Sequence, residues 1–237
     1  MIIDYVVISA DDNPMYLDFY PIVAKRWNEI GIKVIMLHLS SEDSEEVNEY
    51  GIYRKIKKND NISSGLQSQV ARLYASVLYP EYNLLMSDID MLPVNKDYFI
   101  DGASDINLDE IFIYSGQPYS DVPFFPMCYI LARGLVLSEA LGIKSMTFNT
   151  YIELLMNKYN NAWNTDENFM YDQIIKWSGF SQKVIIAKDR NFSRRIDRGN
   201  WYYQLDKLKN GYYIDSHLLR PYSQNREKID TLIKDIS

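Results

Sequence analysis

Apolar positions along this chain switch between two periods, and the switches mark its elements. Residues 2–9, Ile-Ile-Asp-Tyr-Val-Val-Ile-Ser, are mostly β-branched or aromatic and predict a buried first strand. A turn cluster follows, Ala10-Asp11-Asp12-Asn13-Pro14. Tyr16, Phe19, Tyr20, Val23, Trp27 and Ile30 then recur at spacings of three, four and seven, which is one face of a helix. Gly31 stands where a helix C-cap belongs, and residues 33–38 predict a second strand. This β-α-β opening predicts an α/β fold, a mixed, mostly parallel sheet flanked by helices.

Further along, the acidic residues 42–49 show no apolar period and read as a solvated helix or loop, and residues 52–56 as a third strand. Within residues 65–78, Val70, Leu73, Tyr74 and Val77 form a helix face that leaves Arg72 off it, as a surface helix arginine or one free to point elsewhere. Pro80 ends that helix. Residues 82–87 are a short apolar strand, with Asp88-Ile89-Asp90 at its carboxyl end. Residues 111–114, 128–131, 184–187 and 212–214 predict later strands. Helical patterns surround Ile152/Leu155/Met156/Tyr159 and Phe169/Met170/Ile174/Trp177, and a polar helix closes the chain. With no repeat and no linker, residues 1–237 are expected to form one domain.

Composition narrows the classes. Hydrophobic residues at 47% and charged residues at 24% are an ordinary globular balance, which excludes a disordered or fibrous chain. The net charge of −7 argues against a nucleic-acid partner, though one basic pocket is compatible with it. A single cysteine, Cys128, excludes an internal disulfide and a cysteine metal cluster. No glycine-rich phosphate loop follows the first strand. The N-terminus lacks the basic region of a signal peptide, and no stretch approaches the ~18 apolar residues of a membrane span. A cytoplasmic protein without a transmembrane segment is therefore expected.

The chemistry concentrates on Asp88 and Asp90. With 21 aspartates in 237 residues, a random chain holds roughly two Asp-x-Asp patterns, so position must carry the argument. This one follows an apolar strand, and open α/β sheets bind ligands beyond the carboxyl ends of their strands. Residues two apart in extended chain point the same way, so Asp88 and Asp90 can face one Mg²⁺ or Mn²⁺ ion with Ile89 anchored behind them. The competing reading is a solvated turn in which Asp90 is exposed.

The run Ser68-Gln69-Val70-Ala71-Arg72-Leu73-Tyr74, then Leu78-Tyr79-Pro80, then Leu84-Leu85-Met86-Ser87-Asp88-Ile89-Asp90-Met91-Leu92-Pro93 resembles the nucleotide-sugar core of GT-A glycosyltransferases. In that superfamily an arginine-bearing helix precedes the strand that ends in Asp-x-Asp. The resemblance implies a nucleotide-diphosphate sugar donor, a Mn²⁺ (or Mg²⁺) cofactor and a hydroxyl acceptor such as a glycan, with residues 1–93 as the donor half and 94–237 as the acceptor half. It implies Asp90 on the metal, Asp88 on the metal or the donor ribose, Arg72 on the nucleotide or its phosphates, and Ser9 and Ala10 at the donor. His217-Leu218-Leu219-Arg220-Pro221-Tyr222 echoes the segment of glycogenin-like retaining families that supplies a histidine as third metal ligand, with a shorter intervening segment here. His217 is thereby implied as a ligand and Arg220 as a diphosphate contact.

Trp163-Asn164-Thr165-Asp166-Glu167 precedes a helical pattern. Asn164 or Thr165 can cap that helix, and acids suit its first turn. GT-A enzymes often place an acceptor-contacting acid at such a helix start, which makes Asp166, slightly ahead of Glu167, a candidate base. His38, inside an apolar strand, reads as a core histidine. Lys188, Arg190, Arg194, Arg195 and Arg198 are either a solvated loop or an anion clamp, and Tyr129, Trp163 and Trp201 are candidate sugar platforms. Two rivals remain: a haloacid-dehalogenase-like phosphatase using Asp88 and Asp90, and a non-catalytic nucleotide- or glycan-binding domain.

Overall fold

The computed structural model describes residues 1–114, 124–160, 162–187 and 194–236. The chain runs β1 (Tyr5–Ala10), α1 (Pro14–Leu17), α2 (Tyr20–Glu29), β2 (Lys33–Ser40), β3 (Ser44–Asn48), β4 (Gly51–Lys57) and α3 (Ser64–Leu78). It continues through β5 (Asn83–Met86), β6 (Met91–Pro93), α4 (Lys96–Ile100), β7 (Ile111–Ile113), β8 (Ile130–Arg133), α5 (Gly134–Ala140) and α6 (Phe148–Tyr159). Last come α7 (Thr165–Ile174), α8 (Phe180–Lys183), β9 (Val184–Ile186), β10 (Arg195–Ile196), α9 (Leu205–Lys209), β11 (Asp215–His217) and α10 (Tyr222–Ile236).

Eight strands form one sheet in the order β3-β4-β2-β1-β5-β8-β7-β9. β1 lies parallel to both β2 and β5, and β2 parallel to β4, as the opening pattern predicts. The sheet separates two apolar layers, and β1 feeds both by simple alternation: Val6 and Ile8 join the layer of Phe19, Trp27 and Phe99, whereas Val7 joins that of Leu73, Tyr151 and Phe169. No described helix is long and apolar enough to cross a membrane.

Three expectations are corrected. The helix over residues 16–30 is two helices, because Pro21 has no N–H to give and opens α2 afresh. The acidic residues 42–49 contain a strand, β3, antiparallel to β4 at the sheet edge. Its exposed glutamates are what an unpaired edge tolerates, so it carries no apolar signature. The last strand lies at Asp215–His217 rather than 212–214. It is polar yet buried because its side chains are partnered: Asp215 pairs with Arg195, and the Ser216 hydroxyl donates to the Ile196 carbonyl at 3.2 Å.

That polar strand belongs to a second, three-stranded sheet, β10-β11-β6. β11 runs antiparallel to β6 with His217 opposite Met91, and Leu218 N donates to the Asp90 carbonyl at 2.9 Å. β6 starts one residue after Asp90, so this pairing returns the end of the chain to the carboxyl end of β5.

Candidate functional site

A cleft of about 720 Å³ opens at the carboxyl ends of β1 and β5. Ser9 and Ala10 line it from β1, Asp88 and Asp90 from the turn after β5, Arg72 from α3, Asp166 and Glu167 from the start of α7, and His217 and Arg220 from β11 and just beyond. These nine of the residues singled out in the sequence therefore share one cavity. His38 does not: it is buried in β2, with Asp12 Oδ1 and the Tyr53 hydroxyl each 2.9 Å from a ring nitrogen.

Asp88, Ile89 and Asp90 form a turn, closed by Met91 N donating to the Asp88 carbonyl at 3.2 Å, rather than extended chain. Ile89 is buried beneath it. The two carboxylates consequently have different partners. Asp88 pairs with Arg72. Asp90, only 4% exposed where an open strand-end acid was expected, accepts from Arg198 Nη1 at 2.7 Å through Oδ2. The same oxygen lies 3.5 Å from His217 Nε2 and 3.6 Å from Arg220 Nε. Among the described residues, no three His, Cys, Asp or Glu side chains form a ready metal cage.

Arg72 is buried rather than on the surface. It donates from Nη2 to Asp166 Oδ2 at 2.7 Å, from Nη1 to Asp88 and to the Ser87 carbonyl, and from Nε to the Gln69 carbonyl. Burial opposes its charge, but the two carboxylates outweigh that and hold the guanidinium ionised. Burial likewise opposes ionisation of Asp88, and the charges of Arg72 and His217 overcome it, keeping this carboxyl below its ordinary range. Asp166 is raised, by burial first, despite Arg72. Its other oxygen accepts from Glu167 N at 2.9 Å, so both its oxygens are committed. Glu167 is pushed up to about 7, by burial and then by the charges of Asp166 and Asp88. Asn164 sits at the N-cap of α7 without a side-chain capping bond.

The basic cluster divides. Lys188 and Arg190 lie outside the described residues. Arg194 turns away, donating to the Tyr212 carbonyl at 2.9 Å. Arg195 makes a bidentate pair with buried Asp215, both bonds 2.8 Å, and with Arg198 lines the cleft. Of the candidate platforms, Tyr129 is buried and Trp201 packs against the core. Trp163 lines the cleft and is 73% exposed. Sequence reasoning missed Tyr16, which lines the cleft instead of completing a helix face and lies under Arg220, its ring 4.9 Å from the guanidinium carbon. Its position just past the turn after β1 was the one available signal.

No protein-family model and no curated protein matches the chain. Its fold does match solved glycosyltransferases. The enzyme involved in glycosylating the major capsid of PBCV-1 superposes with a TM-score of 0.55 at 12% identity, over 96% of this chain and 99% of that one. The galactosyltransferase LgtC, solved with donor and acceptor sugar analogs, gives 0.52 at 16% identity, over 96% and 94%. The bifunctional glycosyltransferase WbbM gives 0.53 at 14% identity over 100% of this chain, which spans 50% of that protein. The architecture is thus the GT-A fold.

Glu167 generates a pH prediction. Between its ordinary value of 4.5 and its folded value of about 7, the native state keeps a proton that the unfolded chain releases, so stability falls as pH rises through that window. Glu167→Gln removes the loss. The melting-temperature difference, variant minus wild type, should be more positive at pH 8 than at pH 4.5; an equal difference at both would contradict the raised value.

Proposed function

We propose that this GT-A-fold protein is a metal-dependent glycosyltransferase that moves a sugar from a nucleotide-diphosphate donor to a hydroxyl of a glycan. The observation that carries the reading is the meeting of Asp90 with His217, 3.5 Å apart, in a cleft that also holds Asp88, Arg198 and Arg220. LgtC, on the same fold, is solved with donor and acceptor sugar analogs.

Mn²⁺ or Mg²⁺ suits these donors. Two ligands each about 2.0–2.2 Å from one ion lie roughly 3–3.5 Å apart at the angles of tetrahedral or octahedral geometry. The separation of Asp90 Oδ2 and His217 Nε2 fits that span. Such ions are held by one or two carboxylates plus substrate phosphates, so a complete protein cage is not required. Imidazole favours Mn²⁺ over Mg²⁺. Asp90 and His217, with Asp88, would hold such an ion, which would supply neutralising charge at the departing diphosphate.

The chain's own groups do the rest. Arg220 and Arg198 face the same space and take phosphate oxygens. Ser9 and Ala10, at the end of β1, meet the donor nucleoside. Arg72 is a positioning residue, since its donors are committed to Asp88, Asp166 and two backbone carbonyls. The acceptor base is Glu167 rather than Asp166, because a carboxyl near 7 takes a proton at neutral pH, whereas both oxygens of Asp166 are bound. Trp163 offers an open ring to the apolar C–H face of an acceptor sugar. Against a phosphatase reading, the strand that ends in Asp88 does not open the fold, since β1, β2 and β4 precede it in the chain and lie in the same sheet.

Release of nucleoside diphosphate from a panel of nucleotide sugars, with and without Mn²⁺, tests the assignment. Asp90→Asn should bring metal-stimulated release to background while the fold survives; unchanged, still metal-stimulated release would remove Asp90 from the site. Trp163→Ala should leave donor hydrolysis intact and raise the acceptor KM about tenfold; an unchanged KM would remove the platform. Binding of donors without hydrolysis or transfer to any acceptor would favour the non-catalytic reading.

A further inference from the structure

The carboxylate of Asp90 is more crowded than a metal ligand needs. Its Oδ2 is the acceptor for Arg198 Nη1 at 2.7 Å, with Arg220 Nε at 3.6 Å and His217 Nε2 at 3.5 Å. A divalent ion on that oxygen competes with the Arg198 hydrogen bond. It must also approach two guanidinium groups that repel it within a mostly enclosed carboxylate environment. Arg198 itself is anchored little: among the described residues, Asp90 is its one side-chain partner, and its side chain is 29% exposed. It follows Asp197, whose Oδ1 closes a turn onto Gly199 N at 2.8 Å and whose Oδ2 lies 3.5 Å from His217 Nδ1.

Resting on the glycosyltransferase reading, we infer that Arg198 is a counter-cation that competes with the divalent ion for Asp90 and makes metal and diphosphate bind cooperatively. The diphosphate gives the Arg198 guanidinium a second anionic partner in the same cleft. When it moves there, Oδ2 of Asp90 would be free to hold a divalent ion beside the diphosphate. Neither ligand alone resolves the clash: metal without diphosphate leaves Arg198 beside a like charge, and diphosphate without metal lacks the ion that binds both it and Asp90. Because such coupling is reciprocal, the metal must raise affinity for diphosphate by the factor by which diphosphate raises affinity for metal. The arrangement also discourages loading of the site by free divalent ions in the absence of donor.

Arg220 is less suited to this role. Its Nε stands farther from Asp90, and its guanidinium is held by the Tyr16 hydroxyl and ring.

The test measures bound Mn²⁺ by the loss of the free-ion EPR signal, for wild type, Arg198→Gln and Arg198→Lys, each with and without UDP, GDP or ADP. In wild type, one of these diphosphates should tighten Mn²⁺ binding about tenfold, within the ~5–150-fold span of such couplings. Arg198→Gln should bind Mn²⁺ alone more tightly than wild type and lose most of the enhancement, and Arg198→Lys, which keeps the charge, should retain it in part. Mn²⁺ binding equally tight in wild type and Arg198→Gln, with the same enhancement, would overturn the inference and leave the metal site standing. No Mn²⁺ bound by any of the three proteins under any condition would overturn the metal reading itself, and this inference with it. Circular dichroism and melting temperature confirm that the variants are folded, and an unfolded Arg198→Gln would itself contradict the account, because it would make Arg198 a structural residue.

Discussion

A carboxylate as enclosed as that of Asp90 must be compensated, because an unpaired buried charge destabilises a fold by several kcal/mol. Among the described residues, its compensating partners, Arg198, His217 and Arg220, come from more than a hundred residues later in the chain. The small β10-β11-β6 sheet satisfies that requirement. It sets β11 antiparallel to β6 with His217 across from Met91, and it is fastened from within by the bidentate Arg195–Asp215 pair. The large sheet makes a platform with open strand ends; the small sheet converts it into a charged cleft.

A second buried cation fixes the opposite wall. Arg72 joins α3, the turn after β5 and the start of α7 through Asp88 and Asp166. Removing a buried guanidinium that two carboxylates share deprives both of an ion-pair partner, so its contribution is to hold geometry as much as to add stability. The cost of burying a carboxyl beside two others is visible at Glu167, which burial first, and then the charges of Asp166 and Asp88, push up to about 7. That same cost is what makes the residue usable as a base at neutral pH. Trp163 stands beside it on the open side, with its carbonyl held by Gln69 Nε2 at 2.8 Å from α3.

The parts of this fold written in apolar periodicity were legible in the sequence. β1, β2 and β5 are near-continuous apolar runs because both faces of the sheet are covered, and α3 carries an apolar face at a period near 3.6. The elements that escaped detection satisfy burial by other means. β3 is an edge strand of exposed glutamates, and β11 buries Asp215 and Ser216 by pairing them rather than by being apolar. Single-chain patterns carry no trace of such pairings, since Arg195 and Asp215 are meaningful only once they meet. The same holds at the site. Asp88, Asp90 and His217 were found because of where they stand relative to strands and because of a resemblance, but the turn that sends the two aspartates to different partners is a tertiary outcome. Helical periodicity left Arg72 open between the surface and the cleft, because it reports the apolar core and is silent about a polar interior.

The central claim is that the cleft takes a nucleoside diphosphate through a divalent ion held at Asp90 and His217. Isothermal titration of wild-type protein with UDP, GDP, ADP and CDP, first in Mn²⁺ and then after exhaustive chelation, tests it most directly. The account predicts that at least one of these ligands binds in Mn²⁺ and that chelation weakens its binding at least tenfold. Failure of all of them to bind in Mn²⁺, or binding that chelation leaves unchanged, would contradict it.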